Sequence, residues 1–154
     1  ADQLRLVGRQ LLKPFGLDHG IDYVKNDVVK EVMRLTDNKG VDVVVDPVGG
    51  STLQSSLLSL GYRGRVSSMG RAGREGMNID VSSLMAGNRS LTGVFLGAEI
   101  FTDRVHDMIQ RHIDDAAKGT LKVVLDKSFA LKDAAAAHTY IESRKAVGRV
   151  LLIP

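Results

Sequence analysis

The segment Val41-Asp42-Val43-Val44-Val45, ending at Asp46-Pro47, constrains this chain more than any other. β-Branched side chains crowd a helix and suit a pleated sheet. A near-continuous apolar strand of this kind belongs in a parallel sheet covered on both faces. Parallel neighbours need a crossover, usually a helix, so the flanking sequence should read as helical. It does on both sides. Upstream, Val28, Val32 and Leu35 form an i, i+4, i+7 stripe, extended by Val29 and Met33. Asn26 or Asp27 can cap that helix, and Asp37-Asn38-Lys39-Gly40 ends it with turn chemistry. Downstream, Ser51 can cap a helix with Leu53, Leu57 and Leu60 inward, and Gly61 is placed to stop it.

The alternation continues along the chain. Leu4, Val7, Leu11 and Leu12 recur at helical spacing until Pro14 breaks the pattern. His19 to Val24 reads as a short strand. Arg65 to Met69 is another strand, followed by Gly70 and a Gly/Arg-rich loop from Arg71 to Gly76. Ser90 to Leu96 is a strand with Gly93 inside it, a sign of close backbone approach. Thr102 or Asp103 opens a long helix with the stripe Val105, Met108, Ile109, His112, Ile113 and Ala116, closed by Lys118-Gly119. Leu121 to Leu125 is strand-like and is a candidate for pairing across a two-fold axis. Asp133 is placed to cap an Ala-rich helix with Ala134, Ala137, His138 and Ile141 on one face, and Val150 to Ile153 is a last strand. The expected class is α/β with a mainly parallel sheet.

Composition excludes several functions. The net charge of +3 is far from the dense basic clustering of a nucleic-acid partner, and aromatics at 5% disfavour a base-stacking reader. With no Cys there is neither a disulfide framework nor a thiolate zinc site within the chain. No apolar run approaches the roughly 20 residues of a membrane span, and the first residues lack signal-peptide character. Cytoplasmic residence and no membrane partner are expected.

Chemistry is expected where strands end, because ligands of open α/β sheets bind beyond the carboxyl edge. Three ends look prepared: Asp22-Tyr23, then Asp46-Pro47-Val48-Gly49-Gly50, then Met69-Gly70-Arg71-Ala72-Gly73. Glycine there admits a ligand to the backbone, and a following helix N-terminus favours an anion. Simple turns explain the same glycines equally well. Of Arg63, Arg65, Arg71 and Arg74, Arg71 is the better anion candidate because it follows a strand-end glycine, and Arg63 and Arg74 read as solvated. His19, His106, His112 and His138 offer no metal-ligand spacing, and His112 and His138 read as partly buried. Neither GxSxG nor the dinucleotide fingerprint GxGxxG occurs.

Four segments in register resemble the medium-chain dehydrogenase/reductase family, especially its zinc-free quinone oxidoreductase branch. They are Gly16-Leu17-Asp18-His19-Gly20-Ile21-Asp22-Tyr23, Gly40-Val41-Asp42-Val43-Val44-Val45-Asp46-Pro47-Val48-Gly49-Gly50, Gly64-Arg65-Val66-Ser67-Ser68-Met69-Gly70, and Leu131-Lys132-Asp133-Ala134 through Ala137-His138, Glu142-Ser143-Arg144 and Gly148 to Pro154. Pro14-Phe15, Leu17 and Gly20 depart from the family's pattern. The resemblance implies a partial Rossmann-type, doubly wound domain over residues 1–125, lacking its first two strands and the glycine fingerprint. Residues 126–154 would be the return segment of a catalytic domain. In the strand order 3-2-1-4-5-6 the missing strands leave a gap between 19–24 and 41–46. The chain would then rearrange, pair with another chain, or place its first segment elsewhere.

The resemblance further implies NADP(H)-dependent hydride transfer to a quinone or conjugated carbonyl, with NAD(H) still open, no metal within this chain and a homodimer or other homo-oligomer. Tyr23 would lie near the adenosine phosphate, and Val48 and Gly49 at the adenosine side. Met69, Gly70 and Arg71 would skirt the nicotinamide ribose, Phe95 and Leu96 would flank the nicotinamide, and Arg144 would close over the cofactor. Without the resemblance, Tyr23 reads as a sheet-edge aromatic and Phe95 and Leu96 as core. No catalytic acid is named, and the isolated chain is expected to be inactive. Two rivals are an enoyl reductase module of a lipid or polyketide synthase and a non-catalytic oligomerisation or binding module.

Overall fold

A computed structural model describes residues 12–76 and 78–154. The chain divides into two compact units, one spanning Ile21–Ile100 and the other holding Phe101–Pro154 with the described residues before Ile21. The helix expected over Leu4 to Lys13 falls mostly outside the described residues. Pro14 sits in a single 3-10 turn, Lys13–Phe15, which Gly16 closes in left-handed backbone.

In the unit Ile21–Ile100, the expected strand at His19 to Val24 does not form. Asp22 instead opens a turn, its carbonyl accepting the N–H groups of Lys25 (3.1 Å) and Asn26 (2.9 Å). A strand exists only by pairing, and no described strand offers it a ladder. The first segment thus lies outside the sheet. Helix α1 (Val28–Leu35) follows, with the Asp27 carboxylate accepting the Lys30 N–H. Asp37 and Asn38 end it in left-handed backbone, the conformation their short polar side chains tolerate.

Strands β1 (Val41–Asp46), β2 (Leu60–Ser68) and β3 (Ser90–Gly93) make a parallel sheet in that order. Helix α2 (Ser51–Leu58) crosses from β1 to β2, and the short helix α3 (Ser82–Met85) lies between β2 and β3. Helix α2 has Gly50, not Ser51, at its N-cap, so the expected serine cap is absent. Leu60 belongs to β2 rather than to the preceding helix, and β2 starts five residues before Arg65. The extra residues form an irregularity between the pairs Val41↔Leu60 and Val43↔Arg65, with Arg63 at a left-handed φ of 59°. Arg89 fastens this region, donating to the carbonyls of Leu60 (2.6 Å) and Ser83 (3.2 Å). Strand β3 stops at Gly93 and not at Leu96, and nothing approaches the position of a side chain at Gly93.

The core is Leu53, Leu57, Leu60 and Val66, with Val41, Val44, Ile79, Leu84 and Leu91 packed around it. It fills one side of the sheet. On the other side Val43 and Val45 stay 47% and 58% exposed. The expected burial of β1 on both faces is therefore not met within this unit.

In the unit holding Phe101–Pro154, the Thr102 hydroxyl accepts the Val105 N–H and starts helix α4 (Asp103–Ala117). Only Val105 of its apolar stripe is buried. Strands β4 (Leu125–Ala130) and β5 (Arg149–Ile153) pair in parallel through helix α5 (Ala134–Glu142). The strand expected at Leu121 to Leu125 thus begins where that range ends, and the segment proposed to pair across a two-fold axis is not a strand. A 3-10 turn, Leu131–Asp133, leads into α5, and the Asp133 side chain makes no cap bond. His112 and His138 are exposed, not partly buried. No helix among the described residues is long and apolar enough to cross a membrane.

Leu57 is fully buried at the centre of the core. Leu57→Ala is expected to lower stability by about 3 kcal/mol, the transfer and cavity cost of a buried leucine. In urea unfolding the midpoint should fall with little change in slope.

Candidate functional site at the strand ends

Because β1 and β2 run in parallel and adjacent, their carboxyl ends and the loops leaving them lie side by side. The last paired residues are Asp46 and Ser68. Beyond them the two loops are laced by backbone bonds. The N–H groups of Met69, Ala72 and Gly73 donate to the carbonyls of Asp46 (2.9 Å), Pro47 (3.3 Å) and Val48 (2.9 Å). A side-chain carbon on Gly70 would run into the Pro47 carbonyl oxygen. Only glycine allows this approach. The third strand end joins through Val94, whose N–H donates to the Ser68 carbonyl at 2.8 Å.

Asp46 organises the first loop from within. The residue is 3% exposed, and its Oδ1 accepts the N–H groups of Val48 (2.8 Å) and Gly49 (2.9 Å). The Ser56 hydroxyl donates to Oδ2 at 3.4 Å. A buried carboxylate persists when donors replace its lost water, and here three do. The Thr52 hydroxyl donates to the Gly49 carbonyl at 2.6 Å, which ties the loop to the first turn of α2.

Glu75 completes the arrangement from the second loop. Its Oε2 accepts the Ser51 N–H at 3.2 Å, a tertiary cap for a helix whose N-cap glycine has no side chain to offer. The backbone and side chain of Ser51 hold the Glu75 carboxyl below the usual glutamate range by hydrogen bonding to its charged form.

These bonds decide what the strand ends can receive. The amides of Val48, Gly49 and Ser51 are already taken by carboxylates. A phosphate placed against them would meet two carboxylates and find no free donor among those three. A neutral group fits better. The exposed apolar surface around the strand ends comes from Val48, Met69, Val94, Phe95 and Leu96. Ligand sites of this kind are mostly apolar with few fixed polar groups.

The structure therefore brings together Val48, Gly49, Met69, Gly70 and Arg71, and β3 leads directly to Phe95 and Leu96. Phe95, 78% exposed, and Leu96 are not core residues. Arg71 and Arg74 are exposed on the second loop, and Arg63 and Arg65 are exposed within β2. Tyr23 is exposed in the turn before α1, and Arg144 belongs to the other unit. Asp46 and Glu75 are the residues that sequence reasoning left out of the site. Asp46 carried a local signal, an Asp ahead of Pro-x-Gly-Gly able to bond its own backbone two and three residues on. Glu75 carried none, since its partner is 24 residues away. Among the described residues no group of three His, Cys, Asp or Glu side chains could hold a metal.

Two measurements test this geometry. Asp46→Ala strands buried amides and is expected to cost about 2 kcal/mol, while Asp46→Asn keeps an acceptor oxygen and most of that stability. Urea unfolding of the three proteins gives the comparison. For Glu75, a lowered folded-state value means that the contact stabilises above the usual glutamate range and fades as pH falls through the lowered value. The Ser51 amide chemical shift should show one titration step below 4.5, absent in Glu75→Gln.

Comparison with known proteins agrees with this architecture. Residues 15–152 match the family model described as zinc-binding dehydrogenase. The chain is 34% identical over 145 residues to the 2-haloacrylate reductase of a Burkholderia species, covering 92% of the chain and 44% of that protein. It superposes on the quinone oxidoreductase of Pseudomonas syringae pv. tomato with a TM-score of 0.79 at 34% identity, over 95% of this chain and 46% of that one. A mycobacterial protein solved in complex with NADPH gives a TM-score of 0.78 at 32% identity, over 94% and 46%. The chain spans about half the length of the relatives it matches. With its parallel strands, laced strand-end loops and matching segments in order, the chain belongs to the zinc-binding dehydrogenase family of medium-chain dehydrogenase/reductases.

Proposed function

We propose that this chain is the cofactor-binding portion of an NADP(H)-dependent oxidoreductase that delivers hydride to a quinone or conjugated carbonyl. The observation carrying this reading is the pair of loops beyond β1 and β2, hydrogen-bonded to each other, with exposed apolar side chains at the carboxyl edge of a parallel sheet. The relatives support it. One is named for reducing a haloacrylate, whose double bond is conjugated to a carboxyl group, another is named as a quinone oxidoreductase, and a third was solved with NADPH.

In this reading residues 1–125 belong to the cofactor domain and residues 126–154 return to a catalytic domain. The bound dinucleotide supplies the hydride, and the protein supplies position. Val48 and Gly49 would lie along the adenosine side, with the hydroxyls of its ribose as the neutral group that two nearby carboxylates tolerate. Met69, Gly70 and Arg71 would face the nicotinamide ribose. Phe95 and Leu96 would cover one side of the nicotinamide, excluding water there. Tyr23 would stand near the adenosine phosphate and Arg144 would close over the cofactor. The protein would act in the cytoplasm as a homodimer or other homo-oligomer. The 154 residues alone would turn over no substrate.

The test is an NADPH titration, followed by nicotinamide fluorescence, against this chain and against the full-length protein carrying it. Binding by the full-length protein alone supports the reading. Binding by neither overturns it and favours a non-catalytic module.

A further inference from the structure

The bend at the start of β4 points to a second function-bearing contact. The β4–β5 register shifts between Leu125 and Lys127, which places Asp126 at the irregularity. Bulges of this sort re-aim a side chain out of the strand's alternation. The Asp126 carboxylate turns toward the loop that joins α5 to β5. Its Oδ2 accepts the Tyr140 hydroxyl at 2.9 Å and the Val147 N–H at 3.1 Å.

That loop is held at both ends. At its start the Arg144 N–H donates to the Ile141 carbonyl at 3.0 Å, and Arg144 adopts a left-handed φ of 55°. Such backbone is costly for a residue with a Cβ and persists where surrounding bonds enforce it. At its end Gly148, with φ of 119°, lies against the Val124 carbonyl, which also accepts the Arg149 N–H at 2.8 Å. Between these points Asp126 holds the middle of the loop by accepting the Val147 N–H. Tyr140 is braced in turn. Its ring lies 5.9 Å from that of Phe129, and the Lys127 ammonium sits 4.9 Å and 5.1 Å from the two ring centres. The hydrogen bond to Asp126 favours the protonated phenol and raises the Tyr140 hydroxyl above the usual phenol range.

We infer that Asp126 is a positioning residue, braced by Tyr140, that sets the backbone of residues 144–147 and so determines where the Arg144 side chain is presented. This rests on the reading that Arg144 meets the cofactor. Asp126 itself touches no cofactor atom in this account and acts through Arg144.

The experiment has two arms. In this chain, amide hydrogen exchange at Val147 and absorbance titration of the tyrosines are measured for wild type, Asp126→Ala, Asp126→Asn and Tyr140→Phe, with circular dichroism confirming the fold. Asp126→Ala should speed Val147 exchange about tenfold and bring Tyr140 back toward the usual phenol range, and Asp126→Asn should recover most of the protection. Unchanged exchange at Val147 in Asp126→Ala overturns the inference. In the full-length protein, NADPH affinity is measured for Asp126→Ala, Arg144→Ala and the double variant. Each single change should weaken binding about fivefold, and the double variant should be no weaker than Arg144→Ala, because both remove one function. Additive losses would show that Asp126 does not act through Arg144 and overturn the inference. If Arg144→Ala leaves affinity unchanged, the cofactor reading of Arg144 fails, and Val147 exchange still decides whether Asp126 holds the loop.

Discussion

Adjacent parallel strands must end on the same edge, and the pairing of β1 with β2 imposes that on everything around it. The pairing requires a crossover, which α2 provides. It also lays the leucines of α2 and the first residue of β2 against Val66, producing the core. Finally, it delivers two loops to one place with their backbones close enough to bond directly. The lacing from Met69, Ala72 and Gly73 onto residues 46–48 follows from that proximity. A hairpin would have joined the same two strands by one short turn and left no double loop to serve as a site.

Charge placement then narrows what the site can accept. Helix N-termini attract anions, and strand-end glycines expose amides. Here both attractions are met from inside the protein, by Asp46 at the turn and Glu75 at the helix start. Satisfying those donors internally gives the loops their hydrogen bonds without a ligand and leaves those amides no donor for an anion.

The same sheet is unfinished on one side. Val43 and Val45 project from β1 into solvent, although a parallel strand of this composition is usually covered on both faces. The chain covers under half the length of its relatives. Covering these valines would need a further layer, and a strand at His19 to Val24 would need a partner strand, that the described residues do not contain.

Local chemistry made much of this legible in the residues themselves. β1 reads from its valines, α1 from its stripe and its Asp27 cap, α4 from Thr102 and the turn at Lys118-Gly119, and the prepared strand ends from glycine after a strand. These depend on interactions within a few residues, so the order of amino acids by itself determined them. Strand limits did not read as well. Leu60 looks like a third inward leucine of the helix, yet it pairs with Val41, and His19 to Val24 looks like a strand yet turns at Asp22. Pairing energy comes from a partner, and a partner is not written in the segment. The contacts of Glu75 with Ser51 and of Asp126 with Val147 span 24 and 21 residues. Only the tertiary structure decided them, because a carboxylate can satisfy a distant amide only after the sheet has carried the two together.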